Sequence, residues 1–559
     1  MLKDRPIITE ILIAIGALLL FVPFLGGVHL FDWDEINFAE SAREMILTGD
    51  YLTVRIDFEA FYQKPPLFIW MQVLSMKIFG INEFAARFPN VICAMFTLVV
   101  LFRTGRRIYD SGFAWFWVLS YTGSILPFLY FKSGIIDPWF NLFIFTALLN
   151  LIRFLDAERG DKRWQNLVFS AILLGLANLT KGPVSILLFG LTVGGFWALN
   201  KFRLKILWSE ILVFVLILTL VGGLWFIIQI AIGNFSIILE FIQYQLRLLS
   251  TEDSGHGGFL LYHFVVLLIG VFPVSVFALK AFRRSYYDDN SRKRFKRWMI
   301  VLFWVVLLVF SFVKTKIVHY SSLCYLPLTF LGAYVIYKII HERIKNYRWL
   351  NISYAVLGII IGLAFSIAPF LASRMDQILE LGYFSDPFTQ ANMRADVNWS
   401  GFEGLIGLLF IAGIVLSLIL LRKNKKIAYI AMLLNVTLFL NLVLFFTAGK
   451  IEIYSQRALI EFCKDKAGKD CYVNTLGMKS YAHLFYAAKP VPEHERSQDQ
   501  EWLLKGDIDK PAYFILRSKT LDRFQETYPD LELLYEKNGF SFCLRHPGSM
   551  NESMPDDQR

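Results

Sequence analysis

Charged residues are scarce in this sequence, and their scarcity excludes most soluble folds. Only 18% of the 559 residues are Asp, Glu, Lys or Arg, whereas 56% are hydrophobic and 16% are aromatic. An average soluble domain carries about 25% charged residues. The mean hydropathy is +0.50, which is far above the range of such domains. The composition therefore predicts an integral membrane protein.

Several motifs are also missing, and each absence excludes a class of function. The sequence has no phosphate-binding glycine loop, no Cys-x-x-Cys pair and no nucleophile elbow. Nucleotide hydrolysis of the P-loop type and serine hydrolysis on an α/β-hydrolase fold are thereby excluded. The net charge of +10 does not indicate a nucleic-acid partner, because the basic residues concentrate in the loops on one side of the predicted spans.

Cysteine is rare as well, with five residues in the chain. Cys93 and Cys324 lie in or beside predicted spans, where we expect them to pack as small apolar side chains. Cys463, Cys471 and Cys543 fall in the polar carboxy-terminal part. A disulfide between two of these three cysteines is an alternative, and it would leave the third as a free thiol.

Long apolar runs fill the chain up to residue 447. A helix needs about 20 apolar residues to cross about 30 Å of hydrocarbon. Windows of about 19 residues predict about 13 spans, near residues 8–30, 86–104, 113–131, 136–155, 165–180, 184–200, 207–232, 259–280, 296–314, 321–341, 350–373, 402–421 and 427–447. The first run follows Lys3 and Arg5 without a cleavage pattern, so we expect a retained anchor.

The loops divide into a basic set and a set with few cations, which predicts their sides of the membrane. Because Lys and Arg favour the cytoplasmic side, we expect a cytoplasmic amino terminus and a carboxy-terminal part on the outer side of the membrane. The predicted division is a membrane domain (1–449) whose first periplasmic loop is 31–85, an α/β domain (450–547) and a disordered tail (548–559). The α/β domain rests on two helical patterns and on four strand patterns, two of them joined by an Asn538-Gly539 hairpin turn.

The first periplasmic loop is unusually acidic for its position directly behind an apolar run. Helical spacing of its apolar residues predicts a helix that lies flat on the membrane with its acids, including Asp32, Glu40 and Glu44, turned to water. Asp34 and Glu35 stand within one turn of the first span. Unpaired carboxylates are costly at that depth, so a functional role is the alternative for these two.

Further polar residues occur where other predicted spans reach the outer side. Lys64, before two prolines, is either a snorkelling lysine or a cation for an anionic lipid headgroup. Asp137 precedes a proline at the start of a span, as an N-cap or as a functional acid. Arg247 and His256 share a glycine-rich loop. The last group lies near the outer end of a span, against the positive-inside trend, and consists of Lys314, Lys316, His319 and Tyr320.

Together these residues predict group transfer at the outer membrane surface. A carboxylate can take a proton from an acceptor hydroxyl or amine as a general base. Lysines can hold a phosphate and compensate the charge that develops on a leaving group. A carboxylate base and phosphate-binding lysines together fit the transfer of a chemical group from a lipid-linked phosphate donor.

Six segments in order carry a resemblance to a known family: WDEINFAESAREMILTGDYL, YQKPPLFIWM, FGINEFAARFPN, GIIDPWF, LTKGPVSILL and KTKIVHYSSLCYLPL. They resemble the landmarks of the bacterial aminoarabinose-transferase branch of the dolichyl-phosphate-mannose protein mannosyltransferase superfamily, which has the GT-C fold. The resemblance covers roughly residues 1 to 450. It implies a polytopic α-helical protein of the bacterial inner membrane with a small periplasmic α/β domain. It also implies inverting transfer of one sugar from an undecaprenyl-phosphate or dolichyl-phosphate donor.

The resemblance also implies roles for individual residues. Asp34, assisted by Glu35, and Asp137 are the implied catalytic carboxylates. The cations and the tyrosine expected to bind the donor phosphate and its lipid are Lys64, Lys316, Arg247 and Tyr320. The residues expected to line the substrate cavity are His256, His319 and Gln63.

Two positions depart from the family pattern. Gln63-Lys64-Pro65 stands where the aminoarabinose enzymes commonly read Glu-Lys-Pro, which removes a carboxylate that could join His256 around a metal. Asn37 stands where they often carry a basic residue, which removes one phosphate contact. No cofactor is predicted with certainty. A divalent metal stays an open alternative, with His256 as its candidate ligand.

The acceptor and the class of protein also have alternatives. Lipid A or another glycolipid, a protein hydroxyl or a cell-wall polymer would each suit the same fold, and the sugar is open. Membrane lipids are expected partners and nucleic acid is not. A polytopic secondary transporter is the alternative from another class, although transporters commonly show paired halves and ionisable groups at mid-depth.

Overall fold

The structure, a computed structural model, describes residues 6–32, 34–61, 63–158, 160–203, 206–250, 257–283, 288–494 and 496–548. Helices dominate it, accompanied by two small sheets. The helices up to residue 250 are α1 (Pro6–Phe21), α2 (Asp34–Thr48), α3 (Leu67–Phe79), α4 (Glu83–Ile108), α5 (Ser111–Thr122), α6 (Ile125–Tyr130), α7 (Asp137–Asp156), α8 (Asp161–Lys181), α9 (Val184–Leu199), α10 (Trp208–Gly222), α11 (Leu224–Ala231) and α12 (Phe235–Ser250).

The later helices continue the same pattern and then shorten. They are α13 (Tyr262–Gly270), α14 (Val274–Ala281), α15 (Asn290–Phe312), α16 (Tyr325–Ile340), α17 (Arg348–Ala372), α18 (Met375–Glu380), α19 (Pro387–Met393), α20 (Gly404–Lys423), α21 (Lys425–Phe446), α22 (Ala448–Ile453), α23 (Arg457–Lys466), α24 (Ala482–Tyr486), α25 (Gln500–Lys505) and α26 (Leu521–Thr527). Two 3-10 helices cover Val318–Cys324 and Ser518–Thr520.

Each predicted span coincides with one of these helices or with a broken pair, so the predicted polytopic helical fold is confirmed. Seven helices of the described ranges are long and apolar enough to cross a membrane, or nine if each of two bent pairs is one span. This number is below the predicted 13 or so because several spans are short, broken or only moderately apolar helices. Lys181-Gly182-Pro183 separates two helices, α8 and α9, since proline donates no backbone N–H to a continuing helix.

Two breaks bend the membrane part sharply. α10 and α11 meet at 57° beside Gly223, and α13 and α14 meet at 115° across a break that ends at Pro273. Neighbouring helices α7 and α8 pack along each other, so the start of α7 and the end of α8 lie at the same end of the pair. That end carries the polar cluster described below.

The first loop contains α2, a two-stranded hairpin of β1 (Arg55–Ile56) and β2 (Glu59–Ala60), and α3. The predicted helix is present, but the prediction that its acids face water is wrong. Glu40 and Glu44 are fully buried. Arg43 donates to Glu40 at 2.6 and 2.8 Å, and the Phe58 N–H donates to Glu44 at 2.9 Å. α2 is therefore enclosed by the hairpin and by neighbouring helices and does not lie open on a surface.

The predicted carboxy-terminal α/β domain is present. Its sheet has the order β3-β4-β6-β5, formed by β3 (Tyr472–Thr475), β4 (Ala512–Arg517), β5 (Glu532–Lys537) and β6 (Phe540–Arg545). β3 and β4 run parallel, and the other neighbours are antiparallel. Asn538 and Gly539 have φ of 50° and 77°, as a tight hairpin turn requires.

The domain packs on a core of its own around Trp502 and Phe514, and it also contacts the first loop through α24, which packs on α2. All five cysteines are free thiols. The proposed tail lies outside the described residues, apart from Gly548.

Candidate active site

Asp34 and His319 form the exposed part of the polar cluster. Asp34 is the first residue of α2, and His319 lies in the 3-10 helix that follows α15. His319 Nε2 is 3.3 Å from a carboxylate oxygen of Asp34. The Asp34 side chain keeps 39% of its surface exposed, so its carboxylate is accessible to a ligand while the histidine holds one of its oxygens.

Asp137 and Lys181 form the buried part of the cluster. Their side chains are 3% and 11% exposed, and Lys181 Nζ donates to Asp137 at 2.7 Å. Ser322 Oγ lies 3.4 Å from the same carboxylate oxygen. The Asp137 side chain makes no cap bond at the start of α7, so the N-cap interpretation of this residue is wrong. It serves instead as the partner of a buried ammonium group.

Aromatic rings surround this buried ammonium group. Lys181 Nζ is 5.4 Å from the centroid of the Tyr320 ring and 5.5 Å from that of Phe140, both within the range of a cation–π contact. Tyr320 also packs edge-on against His319, at 5.5 Å between ring centroids. Tyr320 therefore links the Asp34–His319 and Asp137–Lys181 pairs.

Lys64 approaches the cluster from the first loop. It lies between the β1–β2 hairpin and α3, directly after Gln63 and before Pro65. Its charge interacts with both His319 and Asp137. Lys64 Nζ is 5.8 Å from the Tyr244 ring, and the Arg247 guanidinium is 5.4 Å from the same ring. Lys64 and Arg247 thus share one tyrosine near the cluster.

Glu35 lies beside Asp34 but is occupied by other groups. Arg87 donates to its two carboxylate oxygens at 3.0 and 2.7 Å. The backbone N–H groups of Phe31 and Gly134 also donate to it. Burial raises the pKa of Glu35, but the Arg87 guanidinium and the amide donors outweigh it and leave that pKa below its usual value. These contacts describe a residue that fixes the start of α2, and an assisting role in catalysis stays a prediction.

Lys316, another candidate, is engaged by backbone groups. Lys316 donates to the carbonyl oxygens of Phe310, Ser311 and Val313, so its ammonium caps the end of α15. His256 lies outside the described residues. Within the described ranges, no three His, Cys, Asp or Glu side chains come together in a metal-binding group.

The cluster lies at helix ends and brings opposite charges together. Asp34 begins α2, Asp137 begins α7 and Lys181 ends α8, while Lys64 stands before α3. The charges of Asp34, Asp137, Lys181 and Lys64 all act on His319, so an accessible carboxylate and two cations lie around one histidine. This arrangement can deprotonate a nucleophile on one side and stabilise an anionic leaving group on the other.

Lys181 and Arg87 are the residues of this region to which sequence reasoning gave no role. Each is a lone cation inside a segment that was quoted for the family resemblance, LTKGPVSILL and FGINEFAARFPN. A charge inside an apolar helix is costly unless it is paired, and this signal could have identified both. Their partners are 44 and 52 residues away in the chain, so the pairing itself is visible only in the fold.

The chain matches known proteins both in sequence and in fold. Residues 63–225 match the family model described as dolichyl-phosphate-mannose-protein mannosyltransferase. The chain is 25% identical over 311 residues to an undecaprenyl phosphate-alpha-4-amino-4-deoxy-L-arabinose arabinosyl transferase of Photorhabdus laumondii, a match covering 55% of this chain and 56% of the relative. A protein of the same name from Pectobacterium atrosepticum is 25% identical over 368 residues, covering 64% of each chain. The match thus spans less than two thirds of either relative.

The structural similarity extends over nearly the whole chain. The crystal structure of ArnT from Cupriavidus metallidurans bound to undecaprenyl phosphate aligns with a TM-score of 0.76 at 17% identity, covering 97% of this chain and 98% of that one. The apo structure of the same protein aligns with a TM-score of 0.73. The fold therefore defines a multi-pass membrane protein of the GT-C class. The sequence matches and the shared fold agree with the predicted resemblance to the dolichyl-phosphate-mannose protein mannosyltransferase superfamily.

Proposed function

We propose that this protein is an inverting glycosyltransferase that moves one sugar from a polyprenyl-phosphate donor to an envelope acceptor. The observation that carries the proposal is the Asp34–His319 contact at 3.3 Å, in which an accessible carboxylate holds a histidine that also senses the charges of Lys64 and Lys181. The relatives named as arabinosyl transferases support 4-amino-4-deoxy-L-arabinose as the sugar. Lipid A is the acceptor that we propose.

The proposed step is a single displacement at the anomeric carbon. An acceptor hydroxyl attacks that carbon from the face opposite the phosphate, and its proton passes to the Asp34 carboxylate. The bond between the anomeric carbon and the phosphate oxygen breaks, and its electron pair stays with the polyprenyl phosphate. The products are the glycosylated acceptor with inverted configuration and the free polyprenyl phosphate.

The cations of the cluster have separate tasks in this step. Lys64 meets the donor phosphate and compensates the charge that grows on it as the bond breaks. His319 orients Asp34 so that one carboxylate oxygen stays available to the acceptor. Lys181 is held by Asp137, and this pair shapes the floor of the cluster.

The proposed cellular setting follows from the distribution of charged loops. We place the amino terminus in the cytoplasm of a bacterial cell and the domain of residues 450–547 in the periplasm, above the membrane domain of residues 1–449. The active site then opens at the periplasmic leaflet of the inner membrane, where a polyprenyl-phosphate sugar and lipid A are both embedded.

Mass spectrometry of lipid A and envelope glycans tests this proposal. Cells that express the wild type should carry a sugar addition that is absent both from cells without the protein and from cells that express Asp34→Asn at the same level. If the sugar were found on a protein or on another glycan, and not on lipid A, that molecule would be the acceptor. Identical glycans in all three strains would contradict the proposal, and solute uptake by proteoliposomes would favour a transporter.

A further inference from the structure

A short segment before α2 is held by the carboxy-terminal domain. Residues 29–32 belong to the connection between α1 and α2, and the first residue of α2 is Asp34. The Leu30 N–H donates to the hydroxyl oxygen of Tyr486 at 2.6 Å, in a buried contact. The Gln456 amide nitrogen donates to the Leu30 carbonyl at 2.8 Å, and its oxygen accepts the Asp32 N–H at 3.3 Å. Gln456 thus pairs with this segment as a neighbouring strand would.

Two side chains of the segment have partners in the same part of the chain. The Asp32 carboxylate accepts the backbone N–H of Tyr481 at 3.3 Å. The His29 ring contacts Glu452 at 2.5 Å, and Glu452 also pairs with Arg457 at 2.6 Å. Every one of these partners is more than 400 residues away in sequence. The attachment is therefore a tertiary contact of the folded domain.

Among the residues that the structure describes, the membrane domain supplies fewer bonds to the segment. Arg87 donates to the carbonyl of His29, and Glu35 accepts the N–H of Phe31. The bonds to Leu30 and Asp32, which lie on either side of Phe31, come from Gln456, Tyr481 and Tyr486. The carboxy-terminal domain therefore holds residues 30 and 32 on one side, while Glu35 and Arg87 hold Phe31 and His29 on the other.

We infer that Tyr486 and Gln456 are positioning residues for Asp34, so that the carboxy-terminal domain completes the active centre. The inference rests on the proposed function, in which Asp34 accepts a proton from the acceptor. Displacing a reacting group by about 1 Å can lower a rate by about 100-fold. Loosening the segment should therefore lower kcat, while the KM for the donor should stay constant because Lys64 lies on a different segment.

Matched substitutions in the full-length protein separate this role from general damage to the domain. Tyr486→Phe removes one hydroxyl and Gln456→Ala one amide. Their controls are Tyr472→Phe, whose hydroxyl donates to Asp509 at 2.8 Å, and Gln500→Ala, whose amide donates to the Thr475 carbonyl at 2.8 Å. Both controls remove comparable bonds that stay within the domain.

Two measurements are made on each variant in lipid nanodiscs. The first is the kcat and the donor KM for sugar transfer from a synthetic undecaprenyl-phosphate aminoarabinose. The second is amide hydrogen exchange of the peptide that contains residues 29–36. We expect Tyr486→Phe and Gln456→Ala to lower kcat roughly 10- to 100-fold at constant KM and to speed exchange in this peptide, with both controls at wild-type values.

The outcomes distinguish the inference from the proposed function. Unchanged exchange in both variants, faster exchange with unchanged kcat, or an equal loss of kcat in the controls would each overturn the positioning role. If the wild type transfers no sugar, the proposed function fails, and the positioning of a proton acceptor fails with it. Faster exchange would then still demonstrate the attachment of the segment to the domain.

Discussion

Asp34 Oδ2 lies 3.3 Å from His319 Nε2, and this contact joins the first loop to the segment that follows α15. The other acid of the cluster is placed differently, because Asp137 is buried and paired with Lys181 at 2.7 Å. Two carboxylates in such unlike surroundings are suited to different roles. The accessible acid fits a proton acceptor, and the buried acid fits an electrostatic support.

Lys64→Met should weaken donor binding. The substitution keeps an unbranched side chain, one heavy atom shorter, but removes the charge that we assign to the donor phosphate. Hydrogen bonds to charged groups contribute about 1.5–3 kcal/mol, so the KM for a polyprenyl-phosphate sugar should rise by about 10- to 100-fold. Steady-state kinetics measures this change. Lys77→Met, on α3 of the same loop, is the control, and an unchanged KM in Lys64→Met would refute the assignment.

Lys181→Met and Asp137→Asn should each destabilise the protein, whereas the double variant should recover part of the loss. Removing one partner of a buried ion pair leaves an uncompensated charge and costs about 3–5 kcal/mol, and removing both relieves that cost. Thermal unfolding in detergent would measure the three variants. Additive losses in the double variant would show that the two side chains are not coupled.

Glu44→Gln should stabilise the protein at high pH and not at low pH. Burial and the neighbouring Glu40 carboxylate raise the pKa of Glu44 to about 9. The folded state therefore holds a proton that the unfolded state releases above about pH 4.5, and the stability that this proton provides is lost as the pH rises toward 9. We expect the melting temperature of the variant to exceed that of the wild type at pH 8.5 and to equal it at pH 4.5.

The exposed Glu59→Gln on the adjacent hairpin is the control for the last prediction. Its side chain lies at the surface, so the substitution should leave the pH dependence of the melting temperature unchanged. The protonated state of Glu44 would be contradicted if the melting temperatures of Glu44→Gln and the wild type differed by the same amount at every pH from 4.5 to 8.5.

Much of the fold could be predicted because it depends on local patterns. Apolar runs identified the helices, and the alternation with an Asn538-Gly539 turn identified the sheet of the carboxy-terminal domain. The acids of α2 were misjudged because the cover over Glu40 and Glu44 comes from other parts of the chain. Helical spacing defines the faces of a helix but not which elements enclose it.

The candidate site could be predicted only in part for the same reason. Asp34, Lys64, Asp137 and His319 were recognised from their unusual positions at the ends of spans. Lys181 was not assigned, and Asp137 was interpreted as an N-cap or as a functional acid, because pairing over 44 residues leaves no local pattern. The contact between Gln456 and the segment before Asp34 spans more than 400 residues and was equally invisible.

Sugar transfer by purified protein tests the central claim most directly. Wild type and Asp34→Asn would be reconstituted with a polyprenyl-phosphate aminoarabinose and lipid A, and the glycosylated product would be followed over time. Loss of a general base lowers a rate by about 100- to 10,000-fold, so the account predicts product from the wild type and almost none from a correctly folded Asp34→Asn. Equal rates for the two proteins would contradict it.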